Sequence, residues 1–159
     1  MGAKSESLAK QFEAKGQEAA AILEKLSDAD WKKMTEAEKW TVGVTAHHLA
    51  TAFEPVASIV TAIVSGQSPG NFTRVMLDEM NAQHAKEHAN CTRTETLALH
   101  RKGVASAAAV VRGLSDDQLA KSGIVFTDAP PMTAEELIIA GLINHTDEHY
   151  GSLRETIGR

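Results

Sequence analysis

The sequence predicts an all-α protein, a four-helix bundle. Four long segments carry apolar residues at helical spacing, and no segment shows the alternation of a convincing strand. Aromatic residues make up only 4% of the chain and alanine is abundant. This composition favours helices that pack through small and aliphatic side chains over a β-sandwich. The length of 159 residues suits one core, so we expect residues 1–159 to form a single domain.

The first long helix is predicted over residues 5–26, where apolar residues form a stripe with Lys and Glu between them. A polar connection over residues 27–39 follows and includes a short helical turn. The second long helix is predicted from Trp40 to about Ser65. Its inward stripe contains His48, whereas the neighbouring His47 projects about 100° away. A slip of one residue in this register would put His47 in the inward position instead.

Residues 72–90 form a weaker helical stretch that contains His84 and His88, four residues apart. Because the residues around this pair are polar, we interpret it as a solvated face or pocket rim, with a rival metal site as the alternative. The third long helix is predicted over residues 93–113, after an N-terminal cap at Thr92. His100 begins its apolar stripe, as a core-edge histidine or as a further pocket or ligand residue.

The fourth long helix is predicted as one continuous amphipathic helix over residues 133–157. Thr133 and Glu136 form a capping box at its start. His145 and His149 occupy inward positions where leucine is expected, and residues four apart project from the same helix face. Together with His48 they supply three imidazoles and leave a coordination position open, as in catalytic metal sites. Such a site can bind zinc, nickel or iron; zinc and nickel are expected first, although imidazole alone does not choose among them.

Composition and missing motifs exclude several function classes. The net charge of −5 gives no support for binding nucleic acid or an anionic membrane, and the longest apolar run, near residues 56–64, is too short and mixed to span a bilayer. The single cysteine, Cys91, excludes an internal disulfide and agrees with a reducing cytoplasm, and the N-terminus shows no secretory signal. A metalloprotease H-E-x-x-H is absent because Thr146 follows His145.

Three stretches together resemble the DinB/YfiT-like metalloenzyme superfamily. They are WTVGVTAHHLATAF, NAQHAKEHANCTRTETLALHRKGVASAAAVVRGLSDDQL and MTAEELIIAGLINHTDEHYGSLRETI, and the resemblance spans about residues 5–157. It implies an up-down-down-up bundle with a long crossover between the second and third long helices. It also implies a divalent metal held by His48, His145 and His149, and homodimers. Some relatives resemble transferases or isomerases that use mycothiol, bacillithiol or glutathione, and others resemble hydrolases.

The resulting hypothesis is a cytoplasmic enzyme whose metal lowers the pKa of a thiol or a water that attacks a small-molecule electrophile. A thiol-dependent S-transferase or isomerase is favoured over a hydrolase, because no glutamate base adjoins the ligands and a thiol is acidic enough alone. Asn81 and His84 are proposed pocket residues, and no catalytic acid or base is assigned. The alternatives are a non-enzymatic, stress-related metal-binding or interaction protein, and a bundle whose histidines pack without metal.

Overall fold

The computed structural model describes residues 2–67 and 70–158; Met1, Ser68, Pro69 and Arg159 lie outside the described residues. Almost all regular structure in the described part is helical. A two-stranded antiparallel pair, β1 (Ser122–Gly123) and β2 (Met132–Thr133), precedes the last helix. The helices are α1 (Ala3–Lys25), α2 (Asp28–Trp31), α3 (Val42–Val64), α4 (Arg74–Glu87), α5 (Arg93–Arg112), α6 (Asp116–Leu119), α7 (Ala134–Ile138) and α8 (His145–Ile157).

A π-helical turn, Ile139–Asn144, joins α7 to α8, so these three pieces run on as one helix over residues 134–157, which we call the last helix. The long helices α1, α3, α5 and the last helix are the four members of the predicted bundle. Their caps follow from the sequence: the Thr41 hydroxyl accepts from the Val44 amide, and Thr133 exchanges hydrogen bonds with Glu136 as a capping box.

Contacts between α1 and its neighbours give the direction of three helices. Arg112, at the end of α5, contacts Glu6 near the start of α1, so these two helices are antiparallel. Lys4 pairs with Glu135 and Lys15 pairs with Asp147, which makes α1 parallel to the last helix.

The direction of α3 completes the topology. Gly141 packs against Val56, and His145, further along the last helix, contacts His48, nearer the start of α3, so α3 and the last helix are antiparallel. The order is therefore up, down, down, up, which confirms the predicted topology. Parallel α3 and α5 require the chain to return between them, and α4 lies in this crossover.

The core lies where all four long helices meet. Its largest fully buried side chains include Tyr150, Phe12 and Phe53, and the rings of the two phenylalanines meet edge to face with centroids 5.2 Å apart. Gly103 lets α5 approach α3 closely, because an added Cβ would lie 3.0 Å from the Ala50 carbonyl oxygen. By length and composition α3 could cross a membrane, but half of its apolar window is buried within the bundle and a core helix passes the same test.

The π-helical turn corrects one prediction, since a continuous α-helix was expected over residues 133–157. A π-helix has more residues per turn than an α-helix, so the turn rotates all that follows relative to a 3.6-residue period. As a result Thr146, Tyr150 and Leu153 face the core in α8. His145 and His149 lie on the adjacent face, where they are slightly more exposed than the residues of the innermost stripe.

Candidate metal centre

Three imidazoles from two antiparallel helices meet at one point: His48 of α3 with His145 and His149 of the last helix. We call them the first triad. One ring nitrogen from each lies within 4.8 Å of the others. The Nε2 atoms of His145 and His149 are 2.8 Å apart, and the ring centroids of His48 and His149 are 5.0 Å apart. The structure thus brings together the three histidines that the sequence selected.

The surroundings of His48 and His145 favour the neutral form of these two imidazoles. Burial, and then the charges of His149 and His145, lower the pKa of His48 to about 3. Burial and the proximity of His149 lower the pKa of His145 to about 4, although the Gly141 backbone accepts a hydrogen bond that opposes the shift. A neutral imidazole keeps a lone pair on one nitrogen, which is the form that binds a metal.

Glu38 orients one member of the first triad. Its Oε1 lies 2.9 Å from Nδ1 of His149, and its Oε2 accepts a hydrogen bond of 2.7 Å from Ser152. Burial raises the pKa of Glu38, but hydrogen bonds from Ser152, His149 and Thr35 outweigh that effect and leave the pKa below its ordinary value. An anionic Glu38 holds the His149 proton on Nδ1, which leaves Nε2 free to bind a metal.

The chain before α3 forms a tight loop that places two side chains on the first triad. The Thr35 amide donates to the Trp40 carbonyl at 2.7 Å, and Met34 forms an isolated β-bridge with Thr41. At its tip Lys39 adopts a left-handed conformation with φ of 60°, which is unusual for a residue other than glycine. The turn directs Glu38 to His149 and sets the Trp40 ring edge to face with His48, at 5.2 Å.

No sequence pattern predicts the role of Glu38, which lies 111 residues before the histidine that it contacts, His149. The residues around it are charged and polar, as in an ordinary connection. Only the packing of this loop against α8 reveals the contact, so the sequence held no local signal that distinguished Glu38 from its exposed neighbour Glu36.

A second group of histidines lies next to the first. His47 of α3 meets His84 of α4 and His88, the residue that caps the C-terminus of α4, and one ring nitrogen from each again lies within 4.8 Å of the others. We call these residues the second triad. Nδ1 of His47 is 2.9 Å from Nε2 of His84, and the His47 and His88 rings stack at 4.3 Å. His84 and His88, expected on a solvated face or pocket rim, are half-buried against a buried His47.

The other predicted pocket residues lie in different places. Asn81 is half-buried on α4, one turn before His84. His100 is buried on α5, where its Nε2 lies 2.9 Å from the Gly16 carbonyl oxygen and its ring meets Phe53. Its described ring contacts are with aromatic core residues and not with either triad, so the structure places His100 in the core rather than beside the first triad.

The sequence matches the family described as the mycothiol maleylpyruvate isomerase N-terminal domain over residues 12–140. The chain belongs to this family. The match confirms the resemblance to the DinB/YfiT-like superfamily. No curated protein matches the sequence.

Two solved structures share the fold. A mycothiol-dependent maleylpyruvate isomerase superimposes with a TM-score of 0.74 at 15% identity, covering 94% of this chain and 60% of that protein. YfiT from Bacillus subtilis, described as a probable metal-dependent hydrolase with an unusual four-helix bundle topology, gives 0.74 at 18% identity over 99% of this chain and 90% of that protein. This chain therefore spans about three fifths of the length of the isomerase.

Proposed function

We propose that this protein is a metal-dependent, thiol-using transferase or isomerase whose divalent ion is held by His48, His145 and His149. The observation that carries the proposal is the first triad itself: three imidazoles converge, and a carboxylate orients one of them. This donor set fits a divalent ion such as zinc or nickel, with iron as an alternative. Three protein ligands leave a position open for a substrate.

Each residue has a defined part in this proposal. His48, 8% exposed, anchors the site on α3, and His145 and His149 close it from the last helix. Glu38 keeps the proton of His149 on Nδ1, away from the ligand nitrogen. A bound divalent ion would supply Lewis-acid chemistry that lowers the pKa of a thiol. Asn81, on α4 beside the site, is proposed to face the substrate, and His84 is proposed to border the same pocket, with its ring centroid 6.0 Å from that of His48.

Glu38 also bears on the choice between a thiol and a water nucleophile. Both of its carboxylate oxygens are engaged, one by His149 and one by Ser152, so it does not stand free as a general base. Water needs such a base more than a thiol does, because a thiol has an ordinary pKa of about 8.5. The family description, which names a mycothiol maleylpyruvate isomerase, supports the same choice.

A metal-dependent hydrolase is the second candidate. It is favoured by YfiT, a probable metal-dependent hydrolase of which this chain covers 90%. In this version the nucleophile is water and no thiol enters the reaction.

One experiment separates these functions. Zinc- and nickel-loaded protein is assayed with maleylpyruvate and with a general electrophile, with and without mycothiol, bacillithiol or glutathione, beside His145→Ala and the control Lys86→Ala. Turnover that needs metal, a thiol and His145 supports the proposal. Metal-dependent turnover without a thiol selects the hydrolase. Bound metal without turnover under any condition selects a non-enzymatic metal-binding protein.

We also propose that the protein acts in the cytoplasm as a homodimer. One cysteine in the whole chain agrees with a reducing compartment. The exposed apolar residues Val75, Met76 and Met80 give α4 a surface that a second copy could cover. Light scattering of the full chain, compared with Met80→Lys, tests the dimer: a monomeric mass for the wild-type protein would contradict it.

A further inference from the structure

We propose that the second triad, His47, His84 and His88, is a second metal site that binds a divalent ion such as zinc. Six of the seven histidines of the chain fall into the two triads. The second triad is built from different side chains and from a different helix pair, α3 with α4. It can therefore bind an ion whether or not the first triad does.

The orientation of α4 carries this inference. No residue of α4, all of which the structure describes, is buried. Three of its large apolar residues point outward, with Val75 63%, Met76 42% and Met80 58% exposed, whereas Leu77 is half-buried on the face that carries His84. A helix packed by the hydrophobic effect would turn these residues inward. Instead the face that α4 turns towards α3 carries His84, so within the chain imidazoles rather than a stripe of large apolar side chains meet α3. A second copy that covers the outer residues of α4 would leave this inner face unchanged.

Without a metal ion, only weak contacts between the imidazoles would hold the second triad together. Nδ1 of His47 and Nε2 of His84 lie 2.9 Å apart, so a single proton can link this pair. His88 adds a stacked ring at 4.3 Å from His47 and 4.5 Å from His84. A divalent ion would accept a lone pair from one nitrogen of each ring and so join all three to a common centre.

The nearby charge and the exposure also suit a cation. The carboxylates of Glu87 and Glu95 act on the second triad, on His84 and His47 respectively. Glu87 is held in place by a hydrogen bond of 2.8 Å from Gln83. Because His84 and His88 are only half-buried, an ion can enter from solvent without opening the bundle.

The two triads are adjacent but separate. His47 and His48 are consecutive on α3, and consecutive helical residues project about 100° apart. His48 therefore faces the last helix while His47 faces α4. The closest described approach between the triads across helices is that of His48 and His84, whose ring centroids are 6.0 Å apart.

The test is the number of zinc ions per chain and the protection of α4 from hydrogen exchange, both measured on the full chain after equilibrium dialysis. We expect about two ions for the wild-type protein. The double variant His84→Ala/His88→Ala should retain about one, and so should His145→Ala/His149→Ala. Lys86→Ala, on the same helix and exposed, is the matched control and should retain both ions.

Hydrogen exchange distinguishes a built site from loose surface binding. Zinc should slow exchange of the α4 amides at least several-fold in the wild-type protein and in His145→Ala/His149→Ala, but not in His84→Ala/His88→Ala. Zinc that leaves α4 exchange unchanged in all variants would overturn the second site, as would a wild-type protein whose whole metal content is lost with the first triad. Failure of the first triad alone would appear as one ion, rather than two, in the wild-type protein, and that ion would survive in His145→Ala/His149→Ala. Thermal melts of the metal-free variants confirm that each is folded.

Discussion

Replacing Glu38 tests whether this carboxylate tunes the first triad. In the structure Glu38 holds His149 by a hydrogen bond of 2.9 Å, and the two side chains are only 11% and 15% exposed. A pair so little exposed is not screened as a surface ion pair would be. Residues that orient a metal-bound histidine typically change metal affinity by about 10–100-fold, or roughly 1.4–2.7 kcal/mol.

Two substitutions at Glu38 separate the effect of its charge from the effect of its hydrogen bonds. Glu38→Gln keeps a neutral acceptor of the same shape and loses the charge, so we expect zinc affinity to fall about 10-fold. Glu38→Ala also removes the acceptor and the partner of Ser152, so the loss should approach about 100-fold. The assay is competition with a chromophoric chelator, carried out on His84→Ala/His88→Ala protein so that only the first triad is titrated.

Glu36→Gln is the control, because Glu36 lies in the same loop and is exposed. It should leave zinc affinity unchanged. If Glu38→Gln and Glu38→Ala both bind zinc as tightly as Glu36→Gln, the carboxylate does not tune the site and the reasoning is refuted. Thermal melts of the metal-free variants show whether a substitution has destabilised the fold itself, apart from its effect on metal binding.

Three further predictions concern stability and reactivity. Between about pH 6.5 and pH 4 the unfolded chain binds more protons than the folded chain, because the folded pKa values of His48 and His145 are about 3 and about 4. The metal-free protein should therefore lose stability as the pH falls through this range. The loss, measured by urea titration, should be about 1.4 kcal/mol for each unit by which a pKa differs between the folded and the unfolded chain. Gly103→Ala should destabilise the folded protein by roughly 1–3 kcal/mol, because the added Cβ would meet α3. Gly151→Ala, whose Cβ would lie in open space, should stabilise it by about 0.5–1 kcal/mol. Equal melting temperatures for the two variants would contradict this prediction. Cys91 should react slowly with a thiol reagent at neutral pH, since burial raises its pKa, and rapid labelling of the folded protein would be the opposite result.

The long helices could be predicted because their signals are local. Caps at Thr92 and Thr133 and apolar stripes at helical spacing determine where helices begin and which way they face, and the structure places these helices within a few residues of the predicted bounds. The first triad could also be selected from sequence, since histidines at leucine positions are conspicuous on two separate helices.

The rest depends on packing between distant segments. Glu38 lies in a polar loop, and only the left-handed turn at Lys39 and the contact with α8 connect it to His149. The second triad could be predicted only in part: the spacing of His84 and His88 indicated a rival metal pair, but their polar neighbours favoured a solvated face. No sequence pattern indicated that His47 completes the group, because sequence periodicity describes helices that pack by apolar faces. α4 does not pack in this way, so its pattern did not reveal which side faces α3.

The π-helical turn has a consequence for how sequences of this family can diverge. If substitutions between Ile139 and Asn144 restored a regular α-helix at the same length, the following helix would turn by about 100°. His145 and His149 would then turn away from His48 although every ligand remained in the chain. An alignment that shows all three histidines therefore does not guarantee a metal centre unless the π-helical turn is also kept. We expect relatives that keep the centre without the π-helical turn to be one residue shorter in this segment.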